Sequence, residues 1–422
     1  MKYVQKFPVL KALCFAIILA SVSINAQKAN DIITAYEAYA DAPRELVYVH
    51  LNKSTFIRGE MMGFTAYVFD KTTKLPSLIT ENLYYTISNS NGDVVKKSLL
   101  KVENGIAFNA FDIDSTLGTG VFTFKAYTNW MLNFNENNHY QQSFKVIDAD
   151  NLELIKPVTP EDFNIDLQVL GEGGHIVYNL PNTIGIIGKN QFQQGLKNIK
   201  GKIVTNNNEV ISEFKLNNVG IAKTILNPQS DKQYFVELNF NGTIIKKEIK
   251  NIKDKGLVLN LVEQQENIII KLQANQFFLK QFKSETLKIA CHNGSGMTVI
   301  DFNLDQQGRI VFKYPKDTLF SGINIFTVFT ENNTPLLERL YFNHNGITKL
   351  ELTELESRKI SDSISLKLKL NETVNVTSSN LSISILPEST KSYNPNNNLL
   401  SQLYLQPYVN GTIENGSQYF SS

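Results

Sequence analysis

The pairing in this chain with the most obvious chemistry is a cysteine beside a histidine. Cys291 and His292, in KIACHNG, would make a thiolate–imidazole nucleophile if their side chains met. The stretch alternates as a strand does, and neighbours on a strand point to opposite faces. Cys291 is therefore read as a small buried hydrophobe. The histidines His50, His139, His175, His292 and His344 stand singly, with no His-x-x-x-His spacing, so no metal site is expected. GEGGH at 171–175 is glycine-rich but opens no helix. It reads as a tight turn needing positive φ, not as a phosphate cradle. NGSG at 293–296 lacks the Gly-x-Ser-x-Gly spacing of a nucleophile elbow and reads as a hairpin turn. No catalytic residue and no cofactor is assigned, and the expected class is non-enzymatic.

Recognition chemistry offers one candidate. AYTNWMLNF at 126–134 carries the only tryptophan of the chain. Phe122, Phe124 and Ala126 share one face of the preceding strand. Trp130 and Met131 follow where that strand ends. A large aromatic there is expected to fold back over the open end of a β-sandwich and bury about 150–250 Å². The competing reading is a binding loop of Asn129, Trp130, Met131 and Phe134.

Composition narrows the partners. With 41 basic and 40 acidic residues the formal net charge is +1, which gives no support for nucleic-acid binding or electrostatic membrane docking. The N-terminus, MKYVQKFPVLKALCFAIILASVSINAQ, has three lysines ahead of an apolar run from Ala12 to Val22, then small residues. It reads as a signal peptide cleaved after Ala26, too short for a membrane span of roughly 20 residues. Cys14 sits inside the apolar run, so no lipid anchor is expected. Export leaves Cys291 without a disulfide partner in the chain. The expected location is the periplasm, outer membrane or cell surface.

The elements that must position these residues are almost all strands. ANDIITAYEAYADAP gives one short helix, capped by Asn30 or Asp31 and stopped by Pro43. Beyond it the period becomes two. ELVYVHLNK, FTAYVFD, VFTFKAYT, YFVELNF, NIIIKLQA, NIFTVFT and SISLKLKL alternate aromatic or β-branched residues with polar ones, separated by turn signals such as Asn91-Gly92. No second helix is predicted. The fold class is all-β, a series of immunoglobulin-like sandwiches of about 100 residues each. Pattern breaks place a signal peptide at 1–26, a helical lead at 27–44, a first sandwich at 45–148 and a linker at 149–161. A second sandwich at 162–254, a third at 255–347 and an incomplete fourth unit with tail at 348–422 follow.

ELVYVHLNKSTFIRGEMMGFTAYVFD resembles the opening of a macroglobulin-like domain, and GVFTFKAYTNWMLNF its end. GEGGHIVYNLPNTIGI resembles the turn opening the next domain, and TPLLERLYF the end of the third. Together they are similar to the N-terminal region of Gram-negative envelope proteins that carry a TonB-dependent-receptor plug-type domain. No plug-like segment is read before Ser422, so a truncated or shortened member is expected. The reactive thioester of full macroglobulins needs a Gly-Cys-Gly-Glu-Gln run, and Cys291 has none.

The resemblance implies a scaffold that binds envelope proteins through strand edges and domain faces. It also implies a peripheral outer-membrane association within a TonB-linked uptake or export assembly. A carbohydrate-binding or carbohydrate-processing module is the alternative, favoured by any cluster of exposed aromatics on one sheet face. N-terminal sequencing of the exported chain is expected to begin at or within a few residues of Gln27, and a retained Met1 would remove the export reading.

Overall fold

A computed structural model describes residues 31–148, 165–190, 194–282, 285–350, 352–370, 379–390, 397–411, 413 and 416–420. The expected signal peptide and the linker at 149–161 lie outside these residues. The chain divides into two compact units. The described residues of 43–157, 320–323 and 342–422 form one, and those of 1–42, 158–319 and 324–341 the other.

The alternating pattern gives strands with one apolar face. In the first sandwich these are β1 (Glu45–Leu51), β2 (Thr55–Ile57), β3 (Met61–Asp70), β4 (Asn82–Ser88), β5 (Val94–Lys101), β6 (Ile106–Asp112), β7 (Gly120–Tyr127) and β8 (Tyr140–Ile147). One sheet has the order β1-β3-β6 and the other β2-β8-β7-β4-β5. Short β2 runs parallel to β8. Inward residues such as Val47, Phe64, Tyr85, Ile87, Phe124 and Phe144 interdigitate between the layers. Phe64, Tyr85 and Phe124 form a triangle of rings with centroids 5.0–5.4 Å apart, in the favoured offset and edge geometries.

The second sandwich uses β9 (Asp166–Gly171), β10 (Asn182–Lys189), β11 (Lys200–Thr205), β12 (Val210–Lys215), β13 (Ile221–Leu226), β14 (Tyr234–Phe240) and β15 (Thr243–Glu248). Its sheets run β13-β10-β9 and β12-β11-β14-β15. The third uses β16 (Leu257–Gln264), β17 (Asn267–Ala274), β18 (Leu287–His292), β19 (Met297–Phe302), β20 (Arg309–Pro315), β21 (Gly322–Phe329) and β22 (Pro335–Asn343). Its sheets run β16-β17-β20 and β19-β18-β21-β22. With β2 set aside, all three have the same plan. Strands one, two and five form one layer, and strands four, three, six and seven the other. The fold is all-β, a series of immunoglobulin-like sandwiches. A hairpin of β23 (Leu352–Ile360) and β24 (Ser363–Leu370) follows the third.

The expected helix forms as α1 (Asp31–Asp41). The Tyr36 hydroxyl accepts from the Gly294 backbone N–H at 2.7 Å, and its ring packs edge-on to His292 at 5.1 Å. Two further helices correct the expectation of only one: α2 (Gln276–Phe282) and α3 (Leu399–Tyr404). The Asn275 side chain caps α2 by accepting from Phe278 N at 3.1 Å. In α3, Asn398 and Ser401 form a reciprocal capping box. Each spans two turns or fewer, too short for a helical period to stand out from the surrounding pattern. No helix among the described residues is long and apolar enough to cross a membrane.

Cys291 is buried in the third core beside Phe326 and Leu287, its sulfur 3.8 Å from the Asn324 side-chain oxygen. His292, on the other face of β18, meets Tyr36 and lies 3.4 Å from the Thr327 hydroxyl. Burial pushes the thiol up to about 11, so it stays protonated and unreactive at neutral pH. A thiol reagent is expected to label Cys291 slowly in the native chain and quickly in denaturant, and Cys291→Ala to cost about 1 kcal/mol in urea unfolding. Rapid native labelling would restore the nucleophile.

Candidate functional site

The loop after β7 is built by a single turn of 3-10 helix, Trp130–Asn133. Its three-residue period puts Thr128 and Met131 on the inner side, and both are buried. Thr128 holds the turn by accepting from Met131 N at 3.3 Å. Trp130 faces outward and is 42% exposed. This corrects the expectation of a tryptophan plug: Met131, buried in the first core, closes this end instead. The residue that turns back over the open end is the neighbouring Met131, because the 3-10 turn aims that position inward and Trp130 outward.

Trp130 is nonetheless held. Its indole N–H donates to the Pro43 carbonyl at 2.8 Å, and its ring meets Phe134 edge-on at 5.4 Å. The Arg44 guanidinium lies 3.5 Å over Phe134 and pairs with Glu136 at 3.1 Å. Lys71 pairs with the same carboxylate at 2.5 Å. Burial pushes the Lys71 ammonium down while Glu136 resists that shift. Asn129 donates to the Tyr84 hydroxyl at 3.2 Å. Asn129, Trp130 and Phe134 are thus brought together at one end of the first sandwich.

Facing them is a wall the sequence reading missed. A groove of about 430 Å³ runs between Trp130 and the segment Ile79–Tyr84, with Glu45 and Thr128 also lining it. Glu45 is 7% exposed. Its two carboxylate oxygens accept from the hydroxyls of Thr80 and Thr128. Leu78 and Ile79 stand exposed at the lip. In the sequence they sit in KLPSLITEN, where Leu75 and Pro76 are apolar as well and nothing singles the pair out.

GEGGH forms the joint between the second and third sandwiches. Gly173 and Gly174 have φ of 81° and 86°, which only glycine adopts freely. The turn lets the Glu172 carboxylate reach Arg339 at 2.7 Å and the Asn260 amide at 2.9 Å. Burial alone would raise the Glu172 carboxyl, but the Arg339 guanidinium and its hydrogen bonds hold it below its ordinary value. His175 contacts the Leu257 carbonyl at 3.0 Å, and burial lowers its basicity. Val177, Leu180 and Val258 make a small core of their own here. The motif's residues tie two domains together.

The segment after the third sandwich carries a second groove, of about 720 Å³, lined by Leu355, Leu366, Leu368, Ile383, Ile385 and His50 among others. His50 Nδ1 meets the Ser382 hydroxyl at 2.7 Å, and Ser384 donates to the Asn52 carbonyl. Ser382 and Ser384 thereby anchor the segment 381–386, while Leu381, Ile383 and Ile385 stay exposed.

The strand order defines a series of two-layer, immunoglobulin-like sandwiches. No protein-family model and no curated protein matches it. Among solved structures it is similar to Salmonella alpha-2-macroglobulin reacted with methylamine, at 13% identity over 78% of this chain and 25% of that one, TM-score 0.21. It is also similar to dimeric latent PorU from Porphyromonas gingivalis, at 10% identity over 71% of this chain and 33% of that one, TM-score 0.27. A tetra-tandem repeat from the extending region of a large adhesion protein matches at 10% identity over 78% and 88%, TM-score 0.19. The chain spans about a quarter of the Salmonella macroglobulin.

Met131→Ala is expected to destabilise the first sandwich by about 2–5 kcal/mol in urea unfolding. Trp130→Ala is expected to cost less than about 1 kcal/mol, as for most partly exposed sites. The reverse order would reinstate Trp130 as the plug.

Proposed function

We propose that this chain is an exported, non-enzymatic scaffold of the cell envelope that binds protein partners by accepting their strands. We place it at the outer membrane peripherally, within a TonB-linked uptake or export assembly. The lysine-flanked apolar N-terminus supports export, and the four resembling motifs support the assembly.

The observation that carries partner binding is the hairpin β23–β24. Like β16–β17 it closes through two residues, Ser361-Asp362 in place of Gln265-Glu266, and the first turn residue has φ of 52° in one and 51° in the other. In the third sandwich the second hairpin strand pairs with β20, matching Ile268, Ile270 and Leu272 to Tyr314, Phe312 and Ile310. Among the described residues β24 pairs only with β23. Beside the groove that Leu355, Leu366 and Leu368 share with the segment 382–386, its face stays largely open: Ile364 is 71% and Leu355 66% exposed. A two-stranded ribbon with one uncovered apolar face is marginal alone and is a template for an added strand.

The carbohydrate alternative draws on Tyr84 and Tyr127, stacked at 5.8 Å on the outer face of the first sandwich. Lys97 and Lys125 lie 5.9 and 5.8 Å over those rings. The ring faces are thus engaged with each other and with lysines, which leaves little flat platform for a sugar.

A peptide with the sequence of residues 308–316, GRIVFKYPK, serves as a strand probe, read by fluorescence anisotropy. It is expected to bind the full chain saturably and to lose binding to the Ile364→Glu, Leu366→Glu double variant. No binding to the parent chain, or equal binding to both, would sink the strand-accepting reading.

A further inference from the structure

We propose that the groove beside Trp130 is a receptor for a basic side chain, a lysine or arginine presented on an extended segment of a partner protein. This does not rest on the hairpin and concerns a different surface.

The argument begins with charge. The groove brings Glu45 and Glu81 into one lining that, among the described residues, includes no lysine or arginine. The neighbouring cations make their contacts with groups other than Glu45: Arg44 and Lys71 share the Glu136 carboxylate, and the Lys74 ammonium donates to the Lys71 carbonyl at 2.5 Å. Lys97 stands over the Tyr84 ring and outside the lining. Glu45 is nine-tenths buried, yet the groups that hold it are the neutral hydroxyls of Thr80 and Thr128. Hydroxyls satisfy its lone pairs without balancing its charge. A carboxylate withdrawn from water gains most from an opposite charge placed close to it. The groove is the open side from which that charge can come.

The other walls fit the rest of a basic side chain. Trp130 is the best aromatic partner for a cation. Its indole N–H is already used by Pro43, so the ring is oriented before any ligand arrives. Tyr84 presents a hydroxyl fixed by Asn129. The exposed Ile79 side chain offers apolar surface to the methylene stem that lysine and arginine carry below their charge. At about 430 Å³ the groove lies at the small end of ligand pockets, suited to one side chain and its flanking backbone.

Trp130 is also the only tryptophan, so the site reports on itself. The parent chain is titrated with the blocked pentapeptide acetyl-Thr-Val-Lys-Val-Thr-amide while Trp130 emission is followed. A saturable change in intensity or wavelength is expected. The peptide with norleucine in place of lysine is expected to bind about tenfold more weakly or worse, about 1.4 kcal/mol. Glu81→Gln, at an exposed position, is expected to weaken the lysine peptide similarly without changing the circular dichroism of the fold. Glu45→Gln should do so more strongly, and Glu81→Gln keeps the test valid if that variant does not fold. Equal binding of the norleucine peptide, an unaltered affinity in Glu81→Gln, or no saturable change would overturn the assignment. Free lysine amide binding as tightly as the peptide would overturn the partner-protein source.

Discussion

A strand with apolar residues at every second position has one face that must be kept from water, and the rest of this structure answers that constraint. Three times the answer is the same. A three-strand layer built on strands one, two and five is covered by a second layer built on strands four, three, six and seven. Each core is separate, so each sandwich satisfies its own apolar faces. No letter-by-letter repeat is needed for this, because any residues of suitable volume and alternation close the same two layers. The hairpin β23–β24 repeats the start of the plan. There, among the described residues, β24 pairs with β23 alone, and Ile364 and Leu355 stay exposed.

Covering faces leaves the ends of each sandwich, and the ends hold the polar chemistry. At one end of the first sandwich the chain reverses through the 128–134 loop, and Met131 turns inward to finish the core. In the same sandwich Arg44 and Lys71 share the single carboxylate of Glu136. Glu45 is held by hydroxyls instead. At the joint of the second and third sandwiches, by contrast, the buried carboxylate Glu172 does have its guanidinium, Arg339. That joint is a closed ionic contact, whereas the Trp130 groove offers an acidic surface to the outside.

Much of this was legible in the sequence, for a definite reason. A period of two survives in a single sequence because it reflects a geometric property of every residue in a strand. Strand content was read from it, while the first helix was read from its capping and stop residues and the turn at 171–175 from its glycines. What was lost depended on breaks in period. The helix α2 is seven residues long and rests on one asparagine cap. Trp130 was expected inward because it is the largest residue just past the strand end, but the 3-10 turn there, where residues three apart share a side, puts Met131 inside instead. The opposing wall was not legible, since Glu45 and Glu81 reach Trp130 only through the pairing of sheets.

The same contrast separates two kinds of surface on one molecule. An open strand edge recognises backbone first, so it tolerates many partner sequences and discriminates mainly by alternation. A groove with two carboxylates and one indole recognises a single charged side chain and is indifferent to the strand around it. Neither is demanding alone: edge pairing is promiscuous, and one cation–π contact contributes about 0.5–2 kcal/mol. A partner segment that met both requirements, alternating apolar residues with a basic side chain at a fixed distance, would gain through the effective concentration of the second contact once the first had formed. In a chain of sandwiches whose cores are otherwise complete, specificity then comes from the few places where a covering strand or a counter-charge is supplied from outside.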